Sequence, residues 1–167
     1  AEVHNEATMN FRQGAIGALL DEYERAISDL KKAMEDIPDA ALPLIVDAQT
    51  ADENCRSVQT ILTHVVHSGY GYAVSIHNLK NQRMERPAKI LRTTIREYLS
   101  DLSTVFSFTE NIFREFKDDE LEGFDDALKI KSGWGPVYDI EQMTEHAIVH
   151  ILRHRRQIER FKPSLRP

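Results

Sequence analysis

The sequence predicts an all-α fold, an antiparallel four-helix bundle, on three observations. Four long segments carry apolar residues at alternating spacings of three and four, the period of one helix face. Glycine and proline are sparse, seven and six residues in a chain of 167, which leaves few turn positions for a β fold. Strand-like alternation occurs once, over Leu128-Lys129-Ile130-Lys131. The length suits one domain, 1–167, with a buried core.

The first helix spans about 9–37, after a loose polar tail at 1–8 that contains His4. Its stripe is Ile16, Leu19, Tyr23, Ala26, Leu30, Ala33 and Ile37, with Glu24, Arg25, Lys31 and Lys32 on the other side. Pro38 ends it. Residues 38–56 connect it to the next. Within them, Ala41-Leu42-Pro43-Leu44-Ile45-Val46 is apolar enough to pack as a short helical turn. Ser57 is a natural N-cap for a second helix over about 57–82. Its buried stripe is Val58, Ile61, Val65, Tyr72 and Ile76, with Leu62 and Ala73 beside it. Gly69 and Gly71 are poor helix formers there and point to close packing or a kink.

The third helix spans about 90–117. Leu91, Ile95, Tyr98, Leu102, Val105, Thr109, Ile112 and Phe116 step by three and four without a break. Residues 118–138 form a long connection: acidic at Asp118-Asp119-Glu120 and Asp125-Asp126, then a short strand, then a turn at Ser132-Gly133-Trp134-Gly135-Pro136. The single tryptophan, Trp134, either covers a functional site or plugs an end of the core. Asp139 and Gln142 have capping-box spacing and open the fourth helix, about 139–162, which ends before Pro163.

Charge and cysteine content narrow the function classes. A net charge of -6 argues against duplex DNA or an anionic membrane as the main partner. The single cysteine, Cys55, allows neither an intrachain disulfide nor a Cys-rich zinc site, which fits a reducing, cytoplasmic setting. No run of about 18 apolar residues spans a bilayer. The polar N-terminal stretch lacks the apolar core of a signal peptide.

The chemistry-bearing pattern lies in the fourth helix, where His146, His150 and His154 recur every four residues. The core stripe there reads Met143, Ala147, His150, His154, Gln157/Ile158 and Phe161. His150 and His154 therefore take places where a plain bundle puts leucine, while His146 sits on the flank. In the second helix, His64 follows Ile61 by three on the core side, and His67 lies three further on. His77, near that helix's end, is expected to face solvent. Buried imidazoles cost free energy unless their nitrogens find partners. Hydrogen-bonded core histidines answer that demand. So does a shared metal ion, for which neutral imidazole is a common ligand. No His-Glu-x-x-His or Glu-x-x-His motif occurs, which argues against zincin and ferritin-like di-iron sites.

Two segments together, Ile61-Leu62-Thr63-His64-Val65-Val66-His67 and His150-x-x-x-His154-Arg155-Arg156-Gln157-Ile158, resemble the DinB/YfiT-like superfamily of metalloenzymes. The resemblance covers most of the chain in helix order and is sharp at these two segments. It implies a four-helix bundle of less common handedness, often homodimeric. It also implies a divalent metal (zinc, nickel, manganese or iron) held by His64, His150 and His154. His67 and His146 match no ligand position and are candidates for a supporting or proton-transfer role. Arg156 stands where the family commonly has glycine, adding bulk without touching the metal.

What the resemblance implies for activity is a metal-dependent enzyme acting on a small molecule, either a hydrolase or an S-transferase using a low-molecular-weight thiol. The metal would activate a water or a thiol. Candidate general bases are His67 and Glu145. Arg153 and Arg155, with Arg160, are candidates for binding an anionic thiol or carboxylate, against the plainer reading of a solvated basic helix end. The competing function is a non-catalytic dimeric helical binding protein with a stabilising or vestigial metal site. Homodimerisation, through the first helix or the 38–48 connection, follows from the resemblance. Nucleic acid and membrane are not expected partners.

Overall fold

The computed structural model describes residues 10–123 and 126–166. The tail at 1–8 with His4, and Asp125 of the acidic stretch, lie outside the described residues. Four helices dominate: α1 (Gly14–Met34), α2 (Val58–His77), α3 (Ile95–Phe113) and α4 (Ile140–Phe161). Two short strands, β1 (Ile130–Lys131) and β2 (Val137–Tyr138), pair antiparallel with Ile130 opposite Tyr138.

Each helix is shorter than its apolar pattern, for local reasons. Ser57 accepts from the Thr60 amide and Thr60 answers to the Ser57 amide, so α2 starts at a reciprocal cap. The same box, Asp139 with Gln142, opens α4. α3 starts five residues later than the pattern suggests, because Thr94 caps Glu97 and thereby stops the helix. Ile90 and Leu91, expected in that helix, are instead 53% and 59% exposed. The last turn of α3 loosens into bonds three residues apart at Arg114, Glu115 and Phe116. α2 ends at His77, and the Asn78 side chain binds the backbone of Met84 at both N–H and carbonyl. That clamp turns residues 83–92 back alongside α2. At the end of α1 the chain leaves helical geometry after Glu35, three residues before Pro38.

Helix packing follows the long connections. α1 packs on α3 and α4, and α2 packs on α3 and α4. The sequence neighbours α1 and α2 thus sit across the core from one another, as do α3 and α4. Two-residue turns could not make those crossings, which is why 35–57 and 114–139 are long. Leu30, Met34, Leu42, Ile61, Leu62, Tyr98, Leu102 and Ile158 are fully buried between them. The burial of each such apolar side chain contributes about 1.5–3 kcal/mol.

The stripe predicted for α2 is buried throughout, and that of α3 from Ile95 onward. On α1 the buried face is rotated at the N-terminal end: Gly17 and Leu20 are buried, while Ile16 and Leu19 are only half-buried. The buried α4 stripe includes Met143, Ala147, His150, His154, Ile158 and Phe161. Gly69 lets α2 approach α3, since a Cβ there would lie 2.9 Å from Val105 Cγ2. The strand expected over 128–131 is confined to β1, because Asp126–Leu128 forms a 3-10 turn. The hairpin β1–β2 carries Trp134 at its tip.

Candidate metal centre

α2 and α4 lie side by side, and that contact builds the site. His64 comes from α2; His150 and His154 come from successive turns of α4. His150 and His154 are 6% and 4% exposed, and His64 is half-buried. Their Nε2 atoms converge. His64 Nε2 is 3.0 Å from His150 Nε2, and His154 Nε2 is 3.2 Å from the same atom. All three ligand atoms fall within 4.8 Å of one another.

Burial holds these rings neutral. It pushes His64 down from 6.5 to about 4, with the charge of His154 adding to the effect. His150 is driven down further, by burial first and then by His154 and His64. His154 is also lowered by burial, with a partial offset from its bond to Gln157. Neutral imidazole has one N–H and one lone pair. The Gln157 carbonyl oxygen lies 2.9 Å from His154 Nδ1 and takes its hydrogen, which leaves the Nε2 lone pair facing the cluster. Ser68 stands 3.4 Å from Nδ1 of His64 in the same supporting position.

Hydrogen bonds alone do not satisfy this arrangement. With the His154 lone pair turned inward, one proton at His150 Nε2 serves only one of its two close neighbours. If His64 donates to His150 instead, the His150–His154 contact sets two lone pairs against each other. A cation satisfies all three nitrogens together. Two of the three spacings fit as well: two nitrogens each about 2.0–2.1 Å from a tetrahedral ion lie about 3.3 Å apart, close to the observed 3.0 and 3.2 Å, with the set as a whole within 4.8 Å. Three neutral imidazoles, with Gln157 fixing one tautomer, are a donor set with outer support that could hold a metal ion.

A cavity of about 570 Å³ opens on one side of the cluster, reaching His64 and His150. Tyr72, Trp134 and His146 form one wall. Trp134 stacks on His146 at 4.7 Å, and Tyr72 meets both edge-on. Burial pushes Tyr72 up to about 12, so its hydroxyl keeps its proton. Trp134 does not plug the core: it is 50% exposed and lines this cavity. A second cavity of about 370 Å³ lies on the His154 side, lined by Asp52, Cys55, Arg156, Gln157 and Arg160 among others. His64 and Arg153 border both cavities.

The other expected site residues scatter. Arg153 lies at the cluster and helps depress all three histidines. Arg155 is paired with Glu159 at 2.6 Å and lines neither cavity. Glu145 is exposed and His67 half-buried; neither lines either cavity. His77 is half-buried rather than solvent-facing, with its Nε2 3.0 Å from the Gln82 carbonyl. The clamp that ends α2 brings that carbonyl back to it. Three contributors had no sequence signal. Arg86 and Lys131 reach the cavity from the 83–92 stretch and from β1, and Asp52 reaches the second cavity from a connection. Gln157 and Ser68 did have one, at three and four residues from a histidine on the same helix face.

No protein-family model matches the chain, and no curated protein matches it.

Proposed function

We propose that the chain is a DinB/YfiT-like four-helix bundle and a metal-dependent enzyme acting on a small molecule, with His64, His150 and His154 as ligands of a divalent ion. The observation that carries this is the convergence of three neutral Nε2 atoms, two on buried rings and one on a half-buried ring, that hydrogen bonds cannot all satisfy. An imidazole set suits zinc, nickel or iron better than magnesium or calcium. Such an ion supplies Lewis acidity, which polarises a carbonyl or activates a water or thiol near neutral pH.

The chain's own residues do the rest. Gln157 holds His154 in the tautomer that turns Nε2 inward. Tyr72 and Trp134 wall the cavity against bulk water. His146 lines the cavity, and burial and Arg153 lower its pKa, so it is neutral near pH 7 and able to accept a proton. We assign it the base role ahead of His67 and Glu145, which lie off the cavity. Arg153 places positive charge beside the open face of the cluster, where an anionic substrate or thiol gains most.

Protein purified without chelator should carry about one equivalent of metal per chain, and the His150→Ala variant should carry none. Protein that stays empty after reconstitution with zinc, nickel and manganese would remove the proposal. The reaction class is read separately. Metal-dependent loss of monobromobimane that requires added thiol marks an S-transferase; ester or amide turnover without thiol marks a hydrolase.

A further inference from the structure

The cavity beside the three histidines has two chemically distinct sides. One is aromatic, made of Tyr72, Trp134 and His146. The other is cationic, made of Arg86, Lys131 and Arg153. Among the described residues no aspartate or glutamate lines the cavity, and no carboxylate pairs with any of these three cations. Elsewhere on this acidic chain some arginines are ion-paired, as Arg12 is with Asp21, Glu24 and Glu110 and Arg92 with Asp101, while others such as Arg96 and Arg114 meet no carboxylate among the described residues. Three unpaired cations around one concavity of a chain with net charge -6 mark the place where an anion is expected.

The cationic side is built into the backbone. Gly71 lies inside α2, where glycine costs about 1 kcal/mol relative to alanine. A Cβ at that position would stand 2.8 Å from Arg86 Nη1 and 3.3 Å from its Cδ. The missing side chain leaves room for the end of the exposed Arg86 side chain to lie against the helix at the cavity. The 83–92 stretch that carries Arg86 is held there by the two Asn78–Met84 bonds. The aromatic side is equally fixed, with Trp134 on the β1–β2 hairpin and the His146 ring parallel to it within 22°.

We propose that this cavity takes a planar aromatic anion, with its ring against Trp134, His146 and Tyr72 and its charged group toward Arg86, Arg153 and Lys131. The proposal names the substrate class of the site described above and so rests on that site being functional, but the binding itself needs no metal. A volume of about 570 Å³ accommodates a ligand of one or two rings. Stacking on the aromatic wall selects the flat ring, and the cations select the charge. An aliphatic acid meets only the cations, and a neutral aromatic amide meets only the wall.

Trp134 is the single tryptophan, so its indole N–H gives one assignable NMR signal inside the cavity. The full chain, chelated and then zinc-loaded, is titrated with benzoate, benzamide and cyclohexanecarboxylate. Benzoate should move the indole signal of the chelated protein and bind at least about tenfold more tightly than either analogue. Arg153→Gln and Gly71→Ala should each weaken benzoate while leaving benzamide unchanged. Equal affinity for all three compounds, or an indole signal that benzoate leaves unmoved, overturns the proposal. A zinc titration on the same samples separates the two ideas. Zinc binding without benzoate selectivity sinks only the ligand class; benzoate selectivity without zinc binding sinks only the metal reading.

Discussion

Gln157 shows what one residue contributes to this site. Its carbonyl takes the His154 Nδ1 hydrogen at 2.9 Å and so decides which nitrogen faces the cluster. Outer supports of this kind are worth about 10–100-fold in metal affinity. Gln157→Leu should therefore weaken zinc binding by that order, measured against a competing chelator, while His150→Ala abolishes it. The histidines also set a pH dependence. Unfolded imidazoles take up protons near 6.5, whereas His64 in the folded chain does so only at about 4, and His150 and His154 are shifted the same way. Between those values the unfolded chain binds more protons, so stability rises with pH through the window. For chelated protein the His64 contribution is complete above about pH 6.5 and is lost as pH falls toward 4, by about 1.4 kcal/mol per pH unit, and His150 and His154 act in the same direction. Urea midpoints across that range check the sign. A stability that stayed flat would mean that the rings are solvated rather than buried.

At the scale of the element, α2 is defined by its cap and its glycines. Ser57 is 1% exposed and exchanges bonds with Thr60. Ser57→Ala should cost about 1–2 kcal/mol, read as a lowered melting temperature with zinc stoichiometry unchanged. Gly69→Ala tests the approach of α2 to α3. The added methyl gains up to about 1 kcal/mol in helix propensity. It also lands 2.9 Å from Val105 Cγ2, tighter than real contacts allow. Overpacking of this kind costs about 1–3 kcal/mol, so the net effect should be destabilising. A gain in stability would show that Val105 yields freely. The α3 start teaches a related point. Leu91 continues the apolar period but lies outside the helix, because Thr94 offers a cap and Gln59 takes the Arg92 carbonyl at 2.8 Å. A local bond that stops the helix outweighed the pattern.

For the whole molecule, α2 and α4 meet through packing, the Tyr72 ring contacts and three facing imidazoles, so an ion between them should stabilise the fold. The gain follows mass action, about 2.7 kcal/mol at one hundred times the dissociation constant. Thermal melts should rise with zinc and revert on chelation, and the His154→Ala variant should not respond. Assembly, carried over from the resemblance, is the second prediction at this scale. Leu44 and Ile45, in the 38–48 connection, are 47% and 60% exposed. We expect a second copy to cover them, and sedimentation of wild type against Ile45→Glu should show a dimer converted to monomer. No helix of the described residues is long and apolar enough to cross a membrane.

By itself the sequence determined the four helical segments, the Ser57 cap, the Asp139–Gln142 capping box and the two rungs of α4 that point inward, because helical periodicity and capping are local and leave their mark within a few residues. It also held Gln157 in view, three residues from His154. Periodicity put His64 on the core side of α2, and the resemblance gave it as the third ligand. Only the tertiary structure decided the distances among the three rings. It alone brought Arg86 and Lys131 to the cavity, put Trp134 over His146, and moved His67, Glu145 and Arg155 away from the open face. Arg86, Lys131 and Trp134 arrive from separate connections whose paths are set by long-range packing. No spacing along the chain records where two connections meet.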